Sequence, residues 1–169
     1  INSGFNIVPI RGNIQTRIDK MTTENLDGLI VAKAALNRLK ISHPNIYIFS
    51  QEEMLPAAAQ GAIGIEVIEE NLEAETINLL QSINDSLTFK ATEIERTVVA
   101  ALQGNCLSPI SALCKISNQD VELKVRVSNQ NGSEVYDQKE IFKLHNKIEA
   151  LEGFIEKLIS NGAKTLIQK

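Results

Sequence analysis

The alternation of Val121, Leu123, Val125 and Val127 with Glu122, Lys124 and Arg126 limits most strongly what this chain can fold into. Side chains along a strand point to opposite faces in turn, so this run carries one apolar and one charged face. Asn131-Gly132 is a hairpin turn signal, and Val135 and Tyr136 resume the apolar pattern beyond it. An antiparallel sheet with one face to be covered is expected. Leu144, Ile148, Leu151, Ile155 and Leu158 recur at helical spacing as the cover, and that helix is expected to end at Asn161-Gly162 before a last short strand at 165–167. Upstream, a helix bearing Ile94, Val98 and Ala101 opens the same unit near Thr88 and stops at Gly104, the residue type expected at a C-terminus. These pieces make a small α+β domain.

The earlier part has a different rhythm. Residues 5–10 read as an apolar strand, Arg11-Gly12-Asn13 as a polar corner, and Ile14, Ile18 and Met21 as a helix with Asn13 as its N-cap. After Asp27-Gly28 a second buried-type strand at 29–32 leads to a short helix with Ala35, Leu36 and Leu39, which His43-Pro44 terminates. Such a βαβα run belongs to α/β sheets with helices on both faces, where ligands bind beyond the carboxyl ends of the strands. Residues 55–67 are rich in small side chains that permit close backbone approach, and their end reads as a strand. A helix from about Leu72, capped by Asn71, carries Ile77, Leu80, Ile83 and Leu87 on its apolar side.

Charge and composition exclude several classes. Seventeen Lys and Arg against 21 Asp and Glu give a net charge of -4 in 169 residues, which argues against broad nucleic-acid binding by phosphate neutralisation. Lys33 interrupts the most apolar stretch, 29–36, so no run approaches the roughly 18 residues of a membrane span. Cys106, Cys114, His43 and His145 make neither a CxxC pair nor a zinc-type cluster, and a reducing, cytoplasmic setting with no metal is expected. The chain opens on Ile1 with no signal-peptide pattern, and it is expected to be cut from something longer.

Few residues can carry chemistry. Arg11 and Arg17 flank a helix N-terminus, where free N–H groups and the dipole favour an anion; they either hold carboxylates bidentately or are surface arginines paired with Asp19 or Glu24. Arg38 reaches the same rim or solvates a helix face. Cys106 lies in a loop between Gly104-Asn105 and Pro109, more available for covalent work than Cys114, which reads as a small core residue. Glu95 and Arg96 read as an ordinary helical pair, and Gln60 as a ligand contact or turn former.

Taken in order, five blocks resemble the porphobilinogen deaminase (hydroxymethylbilane synthase) family: Arg11-Gly12-Asn13-Ile14-Gln15-Thr16-Arg17, the stretch from Asp27-Gly28 through Asn37-Arg38-Leu39, residues 55–66, Glu95-Arg96, and Gly104-Asn105-Cys106-Leu107-Ser108-Pro109-Ile110. The resemblance covers essentially the whole chain but only the C-terminal portion of a family member. It implies two lobes like those of periplasmic binding proteins, with a parallel or mixed sheet and flanking helices, and a small third α+β domain. Residues 1–56 would be the later part of domain 2, 57–84 the return segment to domain 1, and 85–169 the domain carrying the cofactor cysteine. It implies a transferase of tetrapyrrole and heme biosynthesis that condenses four porphobilinogen molecules head to tail, with loss of ammonia, on a dipyrromethane cofactor, and then releases hydroxymethylbilane with water. Cys106 would attach the cofactor by a thioether. Arg11, Arg17 and Arg38 would bind carboxylates of cofactor or growing chain, and the catalytic aspartate would lie in an amino-terminal part outside this chain. A cytoplasmic monomer with no nucleic-acid or membrane partner is implied for the full-length enzyme. The family's usual Gly-Gly-Cys is Gly104-Asn105-Cys106 here, Ser111 stands where Gly is usual after Pro-Ile, and Ala35 replaces a further Gly. The competing reading is a non-catalytic anion-binding module of solute-binding-protein type, which needs the arginines but no loop cysteine.

Overall fold

A computed structural model describes residues 4–68, 70 and 72–168. It divides into two compact units, Ile1–Phe49 and Ser50–Lys169. The protein is a mixed α/β chain whose sheet is antiparallel and three-stranded.

In the first unit α1 (Ile14–Thr23) and α2 (Lys33–Leu39) are joined by irregular backbone. Asn13 caps α1 as expected, its side chain accepting the Thr16 N–H at 2.8 Å. Neither expected strand forms. Residues 5–10 and 29–32 pair with no strand among the described residues, and Phe5 and Ile7 are 70% and 75% exposed. A buried strand needs neighbours along its edges and cover on its faces, and two short helices supply neither. The second helix ends at Leu39, before His43-Pro44, because Lys40 turns left-handed at φ 53° and its N–H returns to Leu36 and Asn37.

The second unit holds α3 (Ala74–Ile83), α4 (Ser86–Ala101), β1 (Ile110–Ser117), β2 (Asp120–Ser128), β3 (Val135–Lys143), α5 (Lys147–Ser160) and α6 (Ala163–Ile167). Leu87 belongs to α4 and not to the helix of Ile77 and Leu80, since Asp85 caps a new helix by accepting the Thr88 N–H at 2.7 Å. The expected cap Asn71 lies outside the described residues. The strand expected near 65–67 is absent, with Ile65 and Val67 exposed and unpaired by any ladder.

The strand order is β1-β2-β3, with Val121 opposite Ile116 and Phe142, and Val127 opposite Ile110 and Tyr136. Val121, Leu123, Val125 and Val127 are fully buried, as the alternation requires, each worth about 1.5–3 kcal/mol of apolar burial. Their face is covered by α4, α5 and α6 through Ile94, Val98, Leu102, Phe154, Leu158, Ala163 and Leu166. The charged face carries Lys124 bonded to Glu52 at 2.8 Å and Arg126 to Asp137 at 2.7 Å.

Two details depart from expectation, while the hairpin expected at Asn131-Gly132 forms with Val135 opening the next strand. Residues 165–167 are helical, because Gly162 turns left-handed at φ 84° and starts a helix that buries Ala163 and Leu166 three residues apart. Ile148 is 69% exposed, and Leu144 precedes α5 in a 3-10 turn; the centre of the cover is Phe154. The hairpin loop runs over six residues, 129–134, between Ser128 and Val135, and it is organised by buried Asn129, whose Oδ1 accepts the Glu134 N–H at 3.2 Å.

Candidate functional site

The C-terminus of α4 builds the cysteine loop. Gln103 adopts φ 58°, its N–H reaches Ala100 O at 2.9 Å, and the Gly104 N–H reaches Val99 O at 2.9 Å. This closes the helix with a left-handed residue, and the residue is Gln103, not the expected glycine. Gly104 serves close packing instead, since a Cβ there would meet Ile110 Cδ1.

Beyond it Asn105, Cys106, Leu107 and Ser108 form a tight turn. The Ser108 N–H donates to Asn105 O at 3.1 Å, the Asn105 N–H to Ser108 Oγ at 2.9 Å, and the Leu107 N–H to Asn105 Oδ1 at 2.8 Å. Asn105 thus supplies the bond that shapes the turn. The Cys106 thiol is exposed at its tip beside Leu107, which is 85% exposed. Cys114, by contrast, faces the core on β1, and burial together with the nearby Glu95 charge pushes its thiol up to about 12. One thiol is exposed to solvent; the other is buried in the core.

The arginine cluster lies in the first unit. Gly12, at φ 127°, has no space for a Cβ beside Thr16 Cγ2, and its carbonyl accepts Arg17 Nε at 2.7 Å. Lys20 Nζ donates to Arg11 O at 3.2 Å, so a third cationic residue joins Arg11 and Arg17, which spacing alone did not reveal. Asp19 is engaged by Gln15 Nε2 at 2.9 Å, and among the described residues neither Arg11, Arg17 nor Arg38 has a carboxylate partner. The surface-pair alternative with Asp19 or Glu24 does not form. Arg38 is exposed in the last turn of α2, where a cation complements the helix dipole.

Gln60 is a turn former: its N–H donates to Ala57 O at 3.1 Å. Glu95 is the residue misread from sequence. It is 5% exposed, and its two oxygens accept the Ala59 and Cys114 amide hydrogens, each at 2.7 Å. Its place between Ala91 and Val98, on the apolar stripe of α4, was the available signal, since a carboxylate there must be satisfied by something buried. Among the described residues no group of three or more His, Cys, Asp or Glu can hold a metal, and no helix is long and apolar enough to cross a membrane.

Two family models match the chain. Residues 1–76 match that of porphobilinogen deaminase, dipyromethane cofactor binding domain, and residues 89–153 that of porphobilinogen deaminase, C-terminal domain. The chain belongs to the porphobilinogen deaminase family. It is 33% identical over 165 residues to the porphobilinogen deaminase of Campylobacter jejuni subsp. doylei, a match covering 96% of this chain and 53% of the relative. It is 31% identical to that of Campylobacter lari over 98% of the chain and 53% of the relative, and 37% identical to that of Clostridium novyi over 78% and 44%. The chain thus spans about half the length of the porphobilinogen deaminases it matches. The family model over residues 1–76 is that of a dipyrromethane cofactor binding domain; taken unit by unit, the second presents a thiol exposed on an ordered turn, chemistry that suits a thioether, and the first presents arginines with no carboxylate partner among the described residues, chemistry that suits carboxylates.

Proposed function

We propose that this chain is the C-terminal portion of a hydroxymethylbilane synthase, which condenses four porphobilinogen molecules head to tail with loss of ammonia and releases hydroxymethylbilane by hydrolysis. The observation that carries the reading is the Cys106 turn, an exposed thiol on a loop shaped by Asn105 and Ser108, which the sequence resemblance would make the cofactor cysteine. When bound, the dipyrromethane supplies the pyrrole primer to which substrate units are joined. Cys106 Sγ would hold it by a thioether. Arg11, Arg17 and Arg38 would bind acetate and propionate groups, with Arg17 kept in orientation by its bond to Gly12 O. The aspartate that handles pyrrole protons lies outside this chain on this reading, so the 169 residues alone turn over no porphobilinogen.

The same reading assigns residues 1–56 to the later part of a periplasmic-binding-protein-like lobe, 57–84 to a return segment and 85–169 to the cofactor-bearing domain. Supporting it, the C-terminal-domain match begins at residue 89, close to the Asp85 cap of α4. A cytoplasmic monomer acting on a small molecule completes the proposal. An anion-binding module without catalysis has no use for a built cysteine turn and is not favoured.

Peptide mass mapping of the full-length protein tests it. The increment of a covalent dipyrromethane is expected on the peptide containing Cys106 and absent from a Cys106→Ser protein; an increment that persists in the variant overturns the assignment.

A further inference from the structure

Glu95 is a buried carboxylate with no part in the function proposed above. Its side chain leaves α4 beside Ile94 and Val98 and takes amide hydrogens from two distant places, Ala59 and Cys114, 36 and 19 residues away in sequence. A carboxylate taken out of water is costly unless hydrogen-bonded, and bonds to a charged acceptor are stronger than neutral ones. Both acceptor atoms here are therefore occupied by donors that cannot be traded for water without losing the burial.

What Glu95 joins is specific. Cys114 lies on β1, whose neighbouring Ala112 N–H donates to Pro56 O at 3.1 Å. The chain at 56 therefore runs against the edge of β1 and then departs from it through a turn in which Gln60 N–H closes on Ala57 O and Ala59 stands left-handed at φ 58°. A non-glycine residue in that conformation is held there by its surroundings. The carboxylate bridges the space that opens between the departing turn and the strand. The Cys106 loop springs from α4, which bears Glu95, and feeds β1, which bears Cys114.

We propose that Glu95 is a positioning residue: its carboxylate ties the 57–61 turn to α4 and β1, the two elements from which the Cys106 loop springs, so that turn and loop move as one piece. The bearing of this on cofactor handling rests on the function proposed above.

Amide hydrogen exchange on the purified protein and on Glu95→Gln and Glu95→Asp variants tests the tie. Glutamine keeps one acceptor oxygen and turns an amide donor toward the other N–H; aspartate is one methylene too short to reach both. In the unsubstituted protein the Ala59 amide is expected to be protected although its turn is on the surface. In Glu95→Gln, exchange at Ala59 and Cys114 is expected to rise about tenfold or more, with Leu107 and Ser108 following and the β2 and β3 amides unchanged. Glu95→Asp should free one of the two amides. An unprotected Ala59 amide in the unsubstituted protein overturns the proposal without reference to any variant. So does uniform acceleration of all amides in Glu95→Gln, the signature of general destabilisation, or acceleration at Ala59 with the Cys106 loop unmoved. Exchange reads the tie without the cofactor, whereas the mass on Cys106 decides the cofactor reading, so failure of one is separable from failure of the other.

Discussion

Gly104 packs against Ile110 with no room for a side chain: a Cβ at position 104 would overlap Ile110 Cδ1 and stand 3.1 Å from Val99 Cγ1 and 3.3 Å from Val99 O. Gly104→Ala must therefore displace the Ile110 Cδ1 methyl within the core, at a cost of ~1–3 kcal/mol, the range for overpacking. The adjacent Gln103 at φ 58° is the opposite case, and Gln103→Gly should gain up to about 1 kcal/mol by relieving a left-handed residue. Urea midpoints check both, with the two variants moving in opposite directions.

The two cysteines should differ in reactivity in the folded protein. Iodoacetamide at mildly alkaline pH is expected to alkylate Cys106 and leave Cys114 untouched, because burial and the Glu95 charge raise the Cys114 thiol to about 12. In denaturant both react. Labelling of Cys114 without denaturant, read by peptide mass, would contradict the buried position on β1.

The Asp85 carboxylate is held below the ordinary aspartate range by the Thr88 N–H it accepts at 2.7 Å and by the Thr88 side chain. A carboxyl whose folded pKa is depressed adds stability that is present above its unfolded pKa and is lost as pH falls through the folded one. Asp85→Ala should accordingly lower the melting temperature at neutral pH, and the gap from the unsubstituted protein should close in strong acid. A gap that stays constant with pH would mean the cap does not depend on charge.

Arg11→Lys and Arg17→Lys keep the charge and lose the planar fork, so a bidentate carboxylate contact should weaken by ~1–3 kcal/mol. Arg17 also loses the 2.7 Å bond from its Nε to Gly12 O and is expected to suffer more. Turnover and retained intermediates in the full-length enzyme, with melting temperature as control, separate the cases. Unchanged turnover would make them solvated charges; loss of stability with activity would make them structural.

The second unit was largely legible because its signals are local and repeated. Val121 through Val127 show the strand and its buried face from a few neighbouring residues, and in the first unit Asn13 shows its capping role in the same way. Residues 165–167 are too few to tell a strand from a helix, and the deciding influence is the left-handed Gly162 just before them. Glu95 was misread because Glu-Arg in a helix is usually a solvated pair, and its partners, Ala59 and Cys114, are backbone amides that no side-chain pattern announces. The strands expected at 5–10 and 29–32 carry the right residues, but a strand is a relation to a neighbour, and none of the described residues provides one. At the site, the exposed Cys106 and the core position of Cys114 followed from their neighbours, while the Asn105 and Ser108 bonds that shape the turn depend on the path of the backbone, which residue types alone do not set.

The occupied rim of β1 has one more effect. It is the outermost strand on its side of the sheet, and two of its outward amides are already taken, by Pro56 O and by Glu95 Oε1. A foreign strand arriving there would have to displace Pro56 O and a buried carboxylate to reach these two amides, so along this stretch the sheet is guarded against the edge-to-edge growth that leads to aggregates.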